Sequence, residues 1–245
     1  MNRRTLASLL GGLTLALSLP VAYSQTSSPQ SETTSPLQQW QDAKFGLFIH
    51  WGVYSVPAGV HAGKEIPYSS EWIMRRADIS KADYRQYAEQ FNPQDYDPAE
   101  WVALAKQTGM KYIVVTAKHH DGFALFNSKV NDWNAVKASG AKRDLLMPLV
   151  EECRRQNMPL GFHYSQAQDW WHPGGGKSGP NWDPGQKGSF ADYLEQISIP
   201  QLKELFTDYG PVFSIFFDTP RGMDPGYARK IEANLPEPPA RPHHQ

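Results

Sequence analysis

Apolar residues fall along this chain in short blocks separated by longer stretches of mixed polarity. Four blocks, Phe45–His50, Tyr112–Ala117, Leu160–Tyr164 and Val212–Phe217, are rich in Val, Ile, Leu and Phe and lack a regular polar alternation. Such runs mark strands buried on both faces. Helical patterns lie between them. Asp97-Pro98-Ala99-Glu100 is a helix start, with Asp97 as N-cap, Pro98 at the first helical position and Glu100 reaching back, and Gly109 is the stop. Asp144 can cap a second helix running through Gln156. Ser189 opens a helical region interrupted at Pro200 and ended at Gly210, and a short helix follows around Tyr227–Asn234. Strands alternating with helices predict an α/β fold with a parallel sheet and right-handed crossovers.

The chemistry collects at one end of every strand. The first ends in His50-Trp51-Gly52, the second in His119-His120-Asp121-Gly122, the third in His163-Tyr164-Ser165 and the fourth in Asp218-Thr219-Pro220. The opposite ends carry only Lys111, Pro159 and Pro211. Polar residues gathered at the carboxyl ends of successive strands are the pattern of a (β/α)8 TIM-barrel site. Neighbouring side chains leave a strand on opposite faces, so His119 and His120 share a pocket only if the chain turns there, which Gly122 permits.

Composition narrows the class. The formal net charge of −1 and 40% hydrophobic content suit a globular domain and give no basis for nucleic-acid binding. Eight Trp, eleven Tyr and eleven Phe read first as core filling, and second as the lining of a carbohydrate site, where a flat ring packs on the apolar face of a sugar. The single cysteine, Cys153, lies in an amphipathic helical pattern and reads as a small buried hydrophobe. Residues 1–24, with Arg3 and Arg4 ahead of an apolar stretch and Ala22-Tyr23-Ser24 at its end, read as a signal peptide cleaved before Gln25. That implies periplasmic or extracellular export and no membrane association after cleavage. Residues 25–36 form a polar Ser/Thr/Pro linker, residues 37–235 the barrel domain, and residues 236–245 a tail.

Two features are set aside. Gly176-Lys177-Ser178 imitates a phosphate-binding loop, but Trp171 stands where that loop needs glycine and no helix follows. Trp170–Gly188 reads instead as a long mobile loop over the site. His50, His119, His120 and Asp218 include zinc-ligand types, but the first strand lacks the His-x-His of barrel metallohydrolases, Phe48 standing two before His50. No metal or other cofactor is expected.

AKFGLFIHWGVYSVPA (43–58), SEW (70–72), TAKHHDGF (116–123), RDLL (143–146), GFHYSQAQDWWHP (161–173) and IFFDTP (215–220) together resemble the α-L-fucosidases of glycoside hydrolase family 29. The resemblance runs in order from about Trp40 to Pro220. It implies a retaining exo-hydrolase of α-L-fucosides on fucosylated glycans, with a barrel catalytic domain. It further implies Asp218 as the nucleophile and His50, Glu71, Trp72, His119, His120 and Tyr164 as residues that hold the fucose. Phe216 stands where the family often has tryptophan and keeps an aromatic wall. Retaining hydrolysis needs a second carboxyl roughly 5–5.5 Å from the first. The family places it well downstream of the nucleophile, so the chain reads as a barrel truncated after about four β/α units, with its acid/base beyond Gln245. Glu71, Asp121 and Asp169 are the nearby carboxylates. The alternative is a fucose-binding remnant without turnover.

Overall fold

A computed structural model describes residues 35–176, 181–220 and 222–235. The expected signal peptide and tail, and nearly all of the linker, lie outside the described residues. The chain divides into Met1–Ser35 and Pro36–Gln245, and the second unit carries everything that follows. In order its elements are α1 (Pro36–Ala43), β1 (Leu47–Ile49), β2 (Val60–His61), β3 (Lys64–Glu65), α2 (Ile73–Arg76), α3 (Lys81–Gln90), α4 (Pro98–Gln107), β4 (Ile113–Lys118), α5 (Met147–Arg155), β5 (Leu160–Tyr164), α6 (Phe190–Tyr193), α7 (Ile199–Thr207), β6 (Ile215–Phe217) and α8 (Pro225–Glu232). The linker expected through residue 36 ends sooner, because Pro36 opens α1.

The four predicted strands form one parallel sheet in the order β1-β4-β5-β6. Leu47 stands beside Ile113, Ile113 beside Leu160, and Phe162 beside Ile215. Parallel neighbours with intervening helices are consecutive units of a (β/α) barrel. The predicted caps hold: Asp97 Oδ1 accepts from the amides of Ala99 and Glu100, and Asp144 Oδ1 from those of Leu146 and Met147. The break expected at Pro200 falls just upstream, in a π-helical turn over Leu194–Ser198, and Pro200 sits in the tolerant first turn of α7.

Two cores result. One lies between the outer face of the sheet and the helices, from Ile113, Val115 and Phe162 to Leu149, Cys153, Leu202 and Leu205. The other caps the carboxyl ends of the strands and is made by residues after β1, β4 and β5, including Tyr54, Ile73, Tyr84, Phe91, Phe123, Trp133 and Trp171. The indoles of Trp133 and Trp171 stack in it at 3.5 Å and 3°. The loop expected to be mobile is instead packed over much of its described length. Trp170, Trp171 and His172 are buried, and Gln186 Nε2 donates to the Trp170 carbonyl.

The inner face of the sheet is covered far less than the outer one. Phe48 and Phe216 remain 44% and 48% exposed, and with Trp40, Tyr112, Val114 and Phe213 they line an open cavity of about 440 Å³. β1 and β6 are the edges of the sheet among the described residues. Uncovered apolar rings beside unpaired strand edges promote association. The 245-residue chain should therefore self-associate with rising concentration, and Phe48→Ser with Phe216→Ser should suppress this. Light scattering that stays monomeric for the unaltered chain would contradict it.

Candidate active site

The pocket begins with a turn. β4 shifts register between Thr116 and Lys118, and beyond Lys118 the Gly122 amide donates to the His119 carbonyl at 3.0 Å. Gly122 takes φ 71°, and a Cβ there would overlap the Asp169 carboxylate. The turn brings the rings of His119 and His120 to 4.2 Å, as the adjacent pair requires. His50 is held on the next strand by Thr116. Thr116 Oγ1 accepts from the Trp51 amide at 2.9 Å and donates to the Trp51 carbonyl at 2.6 Å. The His50 ring then sits 5.4 Å from that of His119 and 5.1 Å from that of His163.

Asp218, at the end of β6, is where these groups converge. Its Oδ2 lies 3.1 Å from His120 Nε2, 3.2 Å from His163 Nε2 and 3.9 Å from His119 Nε2. Thr219 Oγ1 donates to Oδ1 at 3.0 Å, from a residue held at φ 43°. A β-branched residue in the left-handed region is strained backbone, the kind found where function over-determines geometry. Burial acts to raise the Asp218 pKa, but His120 and His163 beside it outweigh that and hold it well below the usual carboxylate range. The group is ionised throughout the neutral range.

Burial, then the neighbouring imidazoles, lower the pKa of His119, and burial lowers those of His120 and His50. Their bonding also fixes a tautomer. Ser165 Oγ donates to the Gln168 carbonyl, so it must accept from His120 Nδ1. His120 Nε2 faces Asp218 Oδ2, and this contact lowers the Asp218 pKa while opposing the effect of burial on His120. His119 Nδ1 and His163 Nδ1 are buried without a hydrogen-bond partner, while His120 Nε2 and His163 Nε2 lie against Asp218 Oδ2. Buried polar atoms left open in this way are costly unless a ligand satisfies them.

The remaining expected residues divide. Trp72 sets its ring edge-on to His120 at 5.0 Å and to Trp170 at 5.2 Å, forming a wall. Glu71 lies in the same short turn, half-buried, and its charge acts on His50. Phe216 stacks on His163, with ring centroids 5.8 Å apart. Tyr164 is a correction. Strand alternation sends His163 to the inner face and Tyr164 to the outer one, where its hydroxyl donates to Gln201 Oε1 at 2.8 Å in the helix-side core. His163 is the residue the sequence reading passed over; alternation separates it from Tyr164 without saying which of the two faces inward.

The sequence model of the Alpha-L-fucosidase family matches residues 17–235. The chain belongs to the α-L-fucosidase family. An α-L-fucosidase of Branchiostoma floridae is 33% identical over 82% of this chain and 46% of its own length. The tissue α-L-fucosidase of Homo sapiens is 37% identical over 72% of this chain and 38% of its own. Among solved structures, a Lactobacillus casei α-L-fucosidase in complex with its α-L-fucose product superposes with a TM-score of 0.76 at 35% identity, over 82% of this chain and 65% of that one. A glycoside hydrolase family 29 α-L-fucosidase of Bacteroides thetaiotaomicron gives 0.72 at 29% identity, over 82% and 46%. The chain thus spans less than half the length of these curated relatives, and its fold is the corresponding part of a TIM-barrel catalytic domain.

Imidazole nitrogens of His50, His119 and His163 lie within 4.8 Å of one another, as do ligand atoms of His119, His120 and Asp218. The rings of His119 and His163 are parallel to within 7°.

The three other carboxylates differ sharply. Asp169 is fully buried and accepts from Lys118 Nζ at 2.9 Å, from the amides of Trp171 and His172, and is paired with His172 Nδ1 at 2.8 Å. Burial opposes its ionisation, but His172 and Lys118 hold its pKa well below the usual range. Asp121 accepts from the Tyr84 hydroxyl at 2.8 Å and the Phe123 amide inside the capping core, and burial lifts its pKa to about 7. Glu71 is the one of the three whose charge reaches the histidine pocket.

Because the folded pKa of Asp121 is raised, its contribution to stability is present below the unfolded value near 4 and is lost as the pH rises through 7. Asp121→Asn removes the titration. Its urea midpoint relative to the unaltered chain should climb between pH 5 and pH 8, by an equivalent of a few kcal/mol. Parallel pH profiles for the two proteins would refute this assignment.

Proposed function

We propose that this chain carries the fucose-binding and nucleophile-bearing part of a retaining α-L-fucosidase site. The observation that carries the reading is the set of unpartnered, buried imidazole nitrogens around an ionised carboxylate. A sugar hydroxyl is both donor and acceptor, so it suits this set better than an apolar ligand or a simple ion. His119 and His163 offer acceptors or donors, and Glu71 and His50 complete the polar side. Trp72 supplies a face for the C–H surface of a 6-deoxy sugar.

In the step proposed, Asp218 Oδ2 attacks the anomeric carbon, the glycosidic bond breaks, and the aglycone oxygen takes a proton from an acid. Water then opens the ester with the same group as base. Asp218 is suited to attack because the strand end and Thr219 fix its orientation and the pocket keeps it charged. Binding without turnover is a second reading. It is favoured by one observation: Asp121 and Asp169 are both committed to internal partners.

A 2-fluoro-fucosyl fluoride needs no acid for its departure, so it separates the two readings. The unaltered chain should acquire one fluorofucosyl adduct by mass, located on Asp218, and Asp218→Ala should acquire none. Fucose binding with no adduct would support the second reading, and an adduct on another residue would displace Asp218. We also propose export, motivated by the charged start and apolar stretch of residues 1–24. Protein recovered from the periplasm or medium should begin near Gln25, and a retained Met1 would sink the idea.

A further inference from the structure

Against Trp72, outside the histidine cluster, the chain positions another aromatic ring, that of Tyr68. Tyr68 is 65% exposed, and its backbone φ is 97°. A tyrosine occupies that region only where its surroundings enforce it, since glycine is the residue that does so without strain. The ring is also pinned. The Arg76 guanidinium is centred 4.3 Å over one face, and Trp72 meets it edge-on at 6.0 Å and 84°. A solvent-facing tyrosine gains little from being held so firmly, unless the open face has an occupant.

The ring's place in the site indicates that occupant. Trp72 touches both Tyr68 and His120, and His120 Nε2 faces Asp218. Tyr68 is therefore one ring beyond the pocket wall and open to solvent. We propose that Tyr68 is the platform for the pyranose ring to which the fucose is attached. The free face of the phenol takes the apolar C–H side of that sugar, and the Arg76 N–H groups beside it suit its hydroxyls. This assignment rests on the reading of Asp218's pocket as a fucose site and adds to it the class of the adjoining unit.

The test compares methyl α-L-fucoside with a fucosyl-N-acetylglucosamine disaccharide, by calorimetric titration of the full chain. The unaltered protein should bind the disaccharide at least fivefold more tightly than the methyl glycoside. Tyr68→Gly removes the ring and relieves the backbone strain, so its melting temperature should not fall. It should bring the two affinities to within twofold while leaving methyl fucoside binding unchanged, and Tyr68→Phe should keep the preference. A preference that survives in Tyr68→Gly would overturn the proposal, as would an equal loss of both ligands, which would make the ring a support for Trp72. No binding of methyl fucoside by the unaltered protein would overturn the fucose reading, and this platform with it.

Discussion

The ion pair between Lys118 and Asp169 is the point on which the site is assembled. Both side chains are fully buried, one at the end of β4 and the other after β5. Lys118 also donates to the Tyr193 hydroxyl at 2.6 Å and lies over the Tyr164 ring at 4.5 Å. Asp169 spends its remaining capacity on two backbone amides and His172, which sets the direction of the chain through Trp170 and Trp171. Burying two charges is expensive, and leaving either alone costs about 3–5 kcal/mol. That cost ties the two strand ends together. Trp170 is thereby placed against both Trp72 and His120, and its amide donates to the His120 carbonyl at 2.6 Å.

The pocket inherits its electrostatics from this arrangement. With β4 and β5 locked side by side, His119, His120 and His163 have no room to turn toward water. Desolvation lowers the pKa of His119, His120 and His50, while His120 and His163 beside Asp218 keep the carboxylate charged. A charged acceptor is thus ringed by buried imidazoles, two of which keep an unpartnered nitrogen. The rigidity comes from the sheet, and the recognition from atoms the fold leaves unpaired.

How much of this was legible in the sequence follows from which contacts are local. The strands announced themselves because buried parallel strands need β-branched and aromatic runs, and Asp97 and Asp144 announced helix starts because a cap acts within three residues. α3 was not visible. Its ten residues are mostly polar and bury only Tyr84 and Ala88, so no apolar stripe marks it. Lys118 falls outside the predicted Tyr112–Ala117 run, yet it is the last residue of β4, and the partner that allows its burial lies 51 positions away. The exchange of His163 for Tyr164 has the same origin. Alternation separates the two residues but does not say which face is inward, and only the helix carrying Gln201 decides that.

The stacked indoles of Trp133 and Trp171 join the loop after β4 to the loop after β5, within the core that caps the strand ends. Two parallel chromophores stacked at van der Waals separation share their excited states, so the pair has an optical signature neither tryptophan has alone. Its circular dichroism depends on the two loops staying in register. The protein therefore carries a built-in spectroscopic marker of the cap, through which loosening over the strand ends becomes visible while the scaffold beneath remains folded.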